Sequence, residues 1–217
     1  RATQGSKNHA RLSTKGVTPP NTTPPFRRGE AEAVFFMKDT IPAQTKKILE
    51  TERLVLRELV PSDLPAMCRV LQDKETMYAY EHAFSDEEAQ AWLNNQLRRY
   101  REDGFGLWGA ALKESGELIG QCGLTWQQIS GGRLLEVGYL FERAHWHKGY
   151  ATEAALACKE YAFSVLGMQE VYSIIRDNNF ASQRVAQRNG MNVCGKTVKF
   201  YYGMEMPHLI FRAVRGR

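Results

Sequence analysis

The chain has 217 residues, 43% of them hydrophobic and 24% charged, which is one-domain length with enough apolar material for a full core. No stretch approaches the roughly 18 uninterrupted apolar residues of a membrane span and no secretory signal pattern is present, so a membrane partner is not expected and the expected compartment is the cytoplasm. The formal charge of +5 would suggest a nucleic-acid partner, but residues 1–36 hold six Lys/Arg against two acids, which leaves the rest nearly neutral and removes that argument.

Residues 1–36 also carry four of the eight prolines and few large apolar side chains, so residues 1–45 are expected to be a disordered leader or tail ahead of a domain spanning 46–217. Met37-Lys38-Asp39 reads as a native start, which would make the preceding residues non-native; an RNA-binding arm is the alternative. Thr51 to Leu59 alternates around Leu54 and Leu56 as a first strand, and Pro61-Ser62-Asp63 opens a helix to about Gln72. Ser85 and Glu88 form a capping box for a second helix, in which Ala89, Trp92, Leu93, Leu97 and Tyr100 share a face. With the link from Met77 to Phe84, these two helices are expected to form one wall of a substrate site. Phe105–Leu112 and Leu118–Trp126 read as a hairpin. After the Gly131-Gly132 turn, Val137, Tyr139 and Phe141 alternate in a central strand.

That strand runs through a short loop, Trp146 to Gly149, into a helix where Ala151, Ala154, Ala155, Cys158 and Ala162 recur at helical spacing. A helix start leaves its first N–H groups unpaired at the positive end of the dipole, which suits an anion, phosphate above all. Gly149 lets the backbone come close to a ligand or take a positive φ. Further on come a β-branched strand (Glu170–Ile175), a helix (Asn179–Asn189) closed by Gly190, and strands at Met191–Lys199 and Pro207–Val214. Cys68, Cys122, Cys158 and Cys194 show no metal-ligand spacing, and His145 with His147 lacks an evident third ligand, so no metal is expected.

The strings Glu136-Val137-Gly138-Tyr139 and Trp146-His147-Lys148-Gly149-Tyr150-Ala151-Thr152 closely resemble the acyl-CoA-binding motif of the GNAT N-acetyltransferases, in particular the branch containing the ribosomal-protein N-acetyltransferases RimJ and RimL. A second motif, Asn179-x-x-Ser182-x-x-Val185 ending in Gly190-Met191, follows at the expected distance. The resemblance implies an α/β (α+β) GNAT fold: a mixed, mostly antiparallel twisted sheet of about six to seven strands flanked by about four helices. It also implies acetyl-CoA as donor substrate, with Trp146, His147, Lys148, Gly149, Tyr150, Ala151 and Thr152 at the pyrophosphate, Val137, Tyr139 and Phe141 along the pantetheine arm, and Asn179 nearby. His147 departs from the family pattern, which usually has glycine there.

The activity implied is transfer of an acetyl group to a primary amine of a protein N-terminus or small molecule, by direct attack and without a covalent intermediate, in a monomer or homodimer. Such transfer needs a neutral amine, a donor to the thioester carbonyl and a proton or hydrogen bond for the thiolate. Glu136 is the candidate base; an exposed strand glutamate in an ion pair is its structural alternative. A tyrosine that many family members place seven residues after the motif asparagine is Ala186 here. Resemblance to RimL-like enzymes offers Ser182 as the sulfur's partner, unless Ser182 caps its helix, with Tyr201 and Tyr202 in reserve. The competing reading is an acyl-CoA-binding module without turnover.

Overall fold

The computed structural model describes residues 45–80, 82–129, 132–201 and 203–216, all within one unit, Met37–Arg217. The expectation for residues 1–44 lies outside the described residues.

The order of elements is β1 (Lys47–Glu50), β2 (Leu54–Arg57), α1 (Leu64–Leu71), α2 (Asp86–Glu102), β3 (Leu107–Leu112), β4 (Leu118–Ile129), β5 (Gly132–Phe141), α3 (Tyr150–Ser164), β6 (Glu170–Arg176), α4 (Phe180–Arg188), β7 (Asn192–Tyr201) and β8 (Met204–Val214). Among the described residues eight strands make one sheet in the order β1-β2-β3-β4-β5-β6-β8-β7, and only β5 and β6 run parallel. The expected six to seven strands become eight because Lys47-Ile48-Leu49-Glu50, four residues with charged ends and no alternation, pairs with β2. The final strand begins at Met204, ahead of the expected Pro207. A proline inside an inner strand is tolerated because the β6 ladder ends at Arg176 opposite His208, where Pro207 needs no N–H.

Each face of the sheet has its own core. Trp108, Leu124, Leu135, Val137 and Phe211 pack with Ala154, Cys158 and Ala162 of α3 and Ala186 of α4, whereas Leu59, Ala111 and Leu118 pack with Met67, Val70 and Leu71 of α1 and Leu93 of α2. The four cysteines are free thiols. The predicted capping box is formed: Ser85 Oγ accepts from Glu88 N–H at 3.2 Å, and the Glu88 carboxylate accepts from Ser85 N–H at 2.8 Å. Before α1, the buried Asp63 carboxylate takes both Nη groups of Arg57, at 2.7 and 2.8 Å, and also the Val60 N–H. That network fixes the chain's turn from β2 onto the α1–α2 face. Among the described residues no helix is long and apolar enough to cross a membrane.

Candidate active site

The sheet forks at its one parallel pairing. Strands β5 and β6 are in register only at Glu136 opposite Tyr172. The next rung of a parallel ladder would join Ile174 N–H to Val137 C=O. Side chains take both groups instead: Ile174 N–H donates to Glu136 Oε1 at 3.0 Å, and Ser173 Oγ donates to Val137 C=O at 2.9 Å. Beyond that point the hydroxyl of the half-buried Tyr139 donates to Ser182 C=O of α4 at 2.9 Å, which bridges the opening, and Trp146 Nε1 donates to Phe141 C=O at 2.8 Å. Alternate residues of a strand turn their main-chain groups to the same edge, so Tyr139 presents N–H and C=O to the fork with no ladder partner among the described residues.

The fork opens toward the Trp146–Gly149 loop. His147 has φ 61 and is the one non-glycine residue with positive φ among the described residues; Gly149 has φ 85 and is the N-cap of α3, with no side chain capping the helix. The first intrahelical bond is Glu153 N–H to Gly149 C=O, so the N–H groups of Tyr150, Ala151 and Thr152 have no partner among the described residues and stand as donors at the positive end of the helix. His147 thus adopts the left-handed conformation that the family's usual glycine reaches without strain. His147→Gly should therefore leave the loop intact and raise stability by up to about 1 kcal/mol, relief of strain being partly offset by the freer unfolded chain. His147→Val should lower stability by about 1–2 kcal/mol. Denaturant midpoints check both; a destabilised glycine variant would mean that the imidazole itself holds the loop.

A clamp that sequence reasoning missed holds this loop. Arg53 donates from its guanidinium to Lys148 C=O at 2.9 Å and to Glu153 Oε2 at 2.7 Å, and lies 4.4 Å over the Tyr150 ring. Arg53 N–H and Thr51 Oγ1 both donate to Glu153 Oε1, at 2.8 and 2.5 Å. Burial alone would raise the Glu153 carboxyl, but these hydrogen bonds and the arginine charge outweigh it and hold it below its ordinary value. Arg53 and Glu153 stand 100 residues apart, and no local pattern joins them.

Glu136 is held among groups of mixed effect. Burial pushes its carboxyl up, against the Lys199 charge, the Ile174 N–H and the Arg99 charge. Asn179, not Ser182, caps α4: its Oδ1 accepts from Ser182 N–H at 3.0 Å, which leaves the Ser182 hydroxyl without a partner among the described residues. Tyr201 ends β7 opposite Met204, and its side chain and Tyr202 lie outside the described residues. On the α1–α2 side, Tyr80, Phe84 and Trp92 meet edge to face with centroids 5.7 to 6.1 Å apart. His82 Nε2 lies 3.0 Å from the Glu88 carboxylate; Glu81 lies outside the described residues. His145 neighbours Glu117 and Glu142 rather than His147, and Arg69 sits among those carboxylates, 3.1 Å from Glu142 and 4.0 Å from Glu117.

A sheet forked beside an uncapped helix start, with a carboxylate at the crotch, offers unpaired strand groups and main-chain donors to an extended anionic ligand. A family model described as an acetyltransferase (GNAT) domain matches residues 53–192, and the chain belongs to that family. It is similar to the uncharacterized protein YkkB of Bacillus subtilis, 37% identical over 72% of this chain and 90% of that protein. It is also similar to the uncharacterized N-acetyltransferase YoaA of the same organism, 29% identical over 74% of this chain and 92% of that one. Among solved structures, the ribosomal alpha-N-protein acetyltransferase RimL in complex with coenzyme A superposes with TM-score 0.62 at 18% identity, over 78% of this chain and 98% of RimL. The chain is an N-acetyltransferase of the GNAT family, whose members use acetyl-CoA.

Proposed function

We propose that the chain transfers the acetyl group of acetyl-CoA to a primary amine, of a protein N-terminus or a small molecule, by direct attack, and that it does so in the cytoplasm as a monomer or homodimer. In this reading the main-chain N–H groups from Trp146 to Thr152 hold the pyrophosphate, with Asn179 nearby. The pantetheine arm pairs with the β5 edge through Val137, Tyr139 and Phe141. The observation that carries it is the fork, which offers unpaired strand groups at Tyr139 between a carboxylate and the free amides of α3. The amine nitrogen attacks the thioester carbon, the C–S bond breaks, Glu136 takes the ammonium proton directly or through water, and the thiolate leaves toward the Ser182 hydroxyl. Tyr201 is the reserve acid.

One specific observation favours the competing reading of an acyl-CoA-binding module: a Glu136 oxygen is already occupied by Ile174 N–H, a role that needs no catalysis. Release of CoA thiol across a panel of amines separates the two. Amine-dependent release is expected from the full chain and equally from a chain beginning at Met37, since residues 46–217 are taken to carry the whole activity. Tight CoA binding without release from any amine would favour the binding module.

A further inference from the structure

Strand register fixes which side chains share the face of Glu136. Glu136 lies opposite Thr125 on β4 and Tyr172 on β6. Ile174 and Arg176, further along β6 on the same face, lie opposite Ile210 and His208 of β8; His208 and Met206 in turn lie opposite Thr197 and Lys199 of β7. Lys199 is therefore on the face of Glu136. Helix α2 covers that face, tied down by Trp92 Nε1 to Gln121 Oε1 at 3.1 Å and by Leu107 N–H to Gln96 Oε1 at 3.1 Å. It brings Arg99 to the same side, one turn beyond Gln96.

Both cations are half-buried, and Glu136 feels the charges of both. Neither has a carboxylate of its own among the described residues. Among the described residues Arg99 donates only to Gln96 Oε1, at 3.3 Å, an oxygen already shared with Leu107 N–H. Asp103, the other acid near Arg99, is bound to Arg133 at 3.1 Å. Elsewhere on this face Glu170 is bound to Arg212 at 3.1 Å and Arg176 donates to Tyr78 C=O at 3.3 Å, so Arg99 and Lys199 share the Glu136 carboxylate. Burial works against the Arg99 charge, and a partly desolvated cation without a counter-ion is costly to keep. The arrangement fits a site whose missing anion arrives with the substrate. A guanidinium presents parallel N–H groups that match the two oxygens of a carboxylate. A polyamine would meet two like charges here.

We propose that the acceptor is an amine carrying a carboxylate close to its nitrogen, the carboxylate held between Arg99 and Lys199 while the nitrogen sits at Glu136; this rests on the transfer reading above. The carboxylate belongs either to a free amino acid or to an acidic residue next to a peptide N-terminus. Matched acceptors separate the sources: amino acids against their amides, and C-terminally amidated tripeptides with Asp against Asn at the second position. The acid of one pair should be preferred at least tenfold in kcat/KM. In Arg99→Gln and Lys199→Gln that ratio should fall toward one, chiefly through KM, with CoA affinity kept. A wild-type ratio of one overturns the inference. So does an equal loss for acid and amide in the variants with a shifted pH profile, since the cations would then serve Glu136 alone. Absence of release from every acceptor while CoA binds instead removes the transfer reading itself, and the inference with it.

Discussion

Glu136→Gln should lower turnover by about 10²- to 10⁴-fold, the range of general acid–base catalysis, while CoA affinity persists. The substitution keeps an oxygen that can accept the Ile174 N–H, so the fork stays open as in the parent chain. Only the proton acceptor is lost. Glu136→Ala separates the two roles, because it also leaves the Ile174 N–H uncapped and should weaken CoA binding. The pH dependence has a definite sign. Burial raises the Glu136 carboxyl from its ordinary value, so the low-pH limb of wild-type kcat/KM should fall at a higher pH than for an exposed glutamate. Below that limb the carboxyl is protonated and cannot act. The variant should lose this limb and partly recover at high pH, where more amine is already neutral. An α-amine near about 7.8 needs less help than a lysine near about 10.4, so the loss should be smallest for α-amine acceptors. Wild-type turnover of a lysine-like amine by Glu136→Gln would take Glu136 out of the mechanism.

What the sequence made legible was local. The strand, loop and helix from Leu134 to Leu156 appear as expected, because alternation, a single glycine and an alanine-rich helical stripe each act within a few residues. The Ser85–Glu88 cap is of the same kind. The fork is different: whether β5 pairs with β6 beyond Glu136 depends on Ser173 and Ile174, whose side-chain and main-chain donors no β5 pattern reveals. The Arg53–Glu153 clamp was hidden for the same reason, as a contact between distant parts of the chain. At Ser182 the residue type allowed either a cap or a free hydroxyl; the cap at Asn179 decided it. His147 carried a readable signal in its departure from the family pattern: the residue that replaces the usual glycine keeps a positive φ of 61.

Gly149→Val should weaken CoA binding at least tenfold, about 1.4 kcal/mol. The glycine sits at φ 85, where a β-branched residue is strained by about 1–2 kcal/mol, and an added Cβ would stand 3.3 Å from Arg53 Nη2. The chain can relieve that strain by turning residue 149 out of the left-handed region, which re-aims the N–H groups of Tyr150, Ala151 and Thr152, or by displacing Arg53, which releases Lys148 C=O and Glu153. Either response spoils the anion site, because its donors are main-chain groups whose direction is set by this one residue. Gly149→Ala keeps the positive-φ strain without the β-branch and should show a smaller loss of affinity. The fold itself should survive, since the loop lies at the edge of the core and α3 is held by Ala154, Cys158 and Ala162. A melting curve shows that the variant is folded, and calorimetric titration with CoA gives its affinity. Unchanged affinity in the folded valine variant would move the pyrophosphate away from the start of α3.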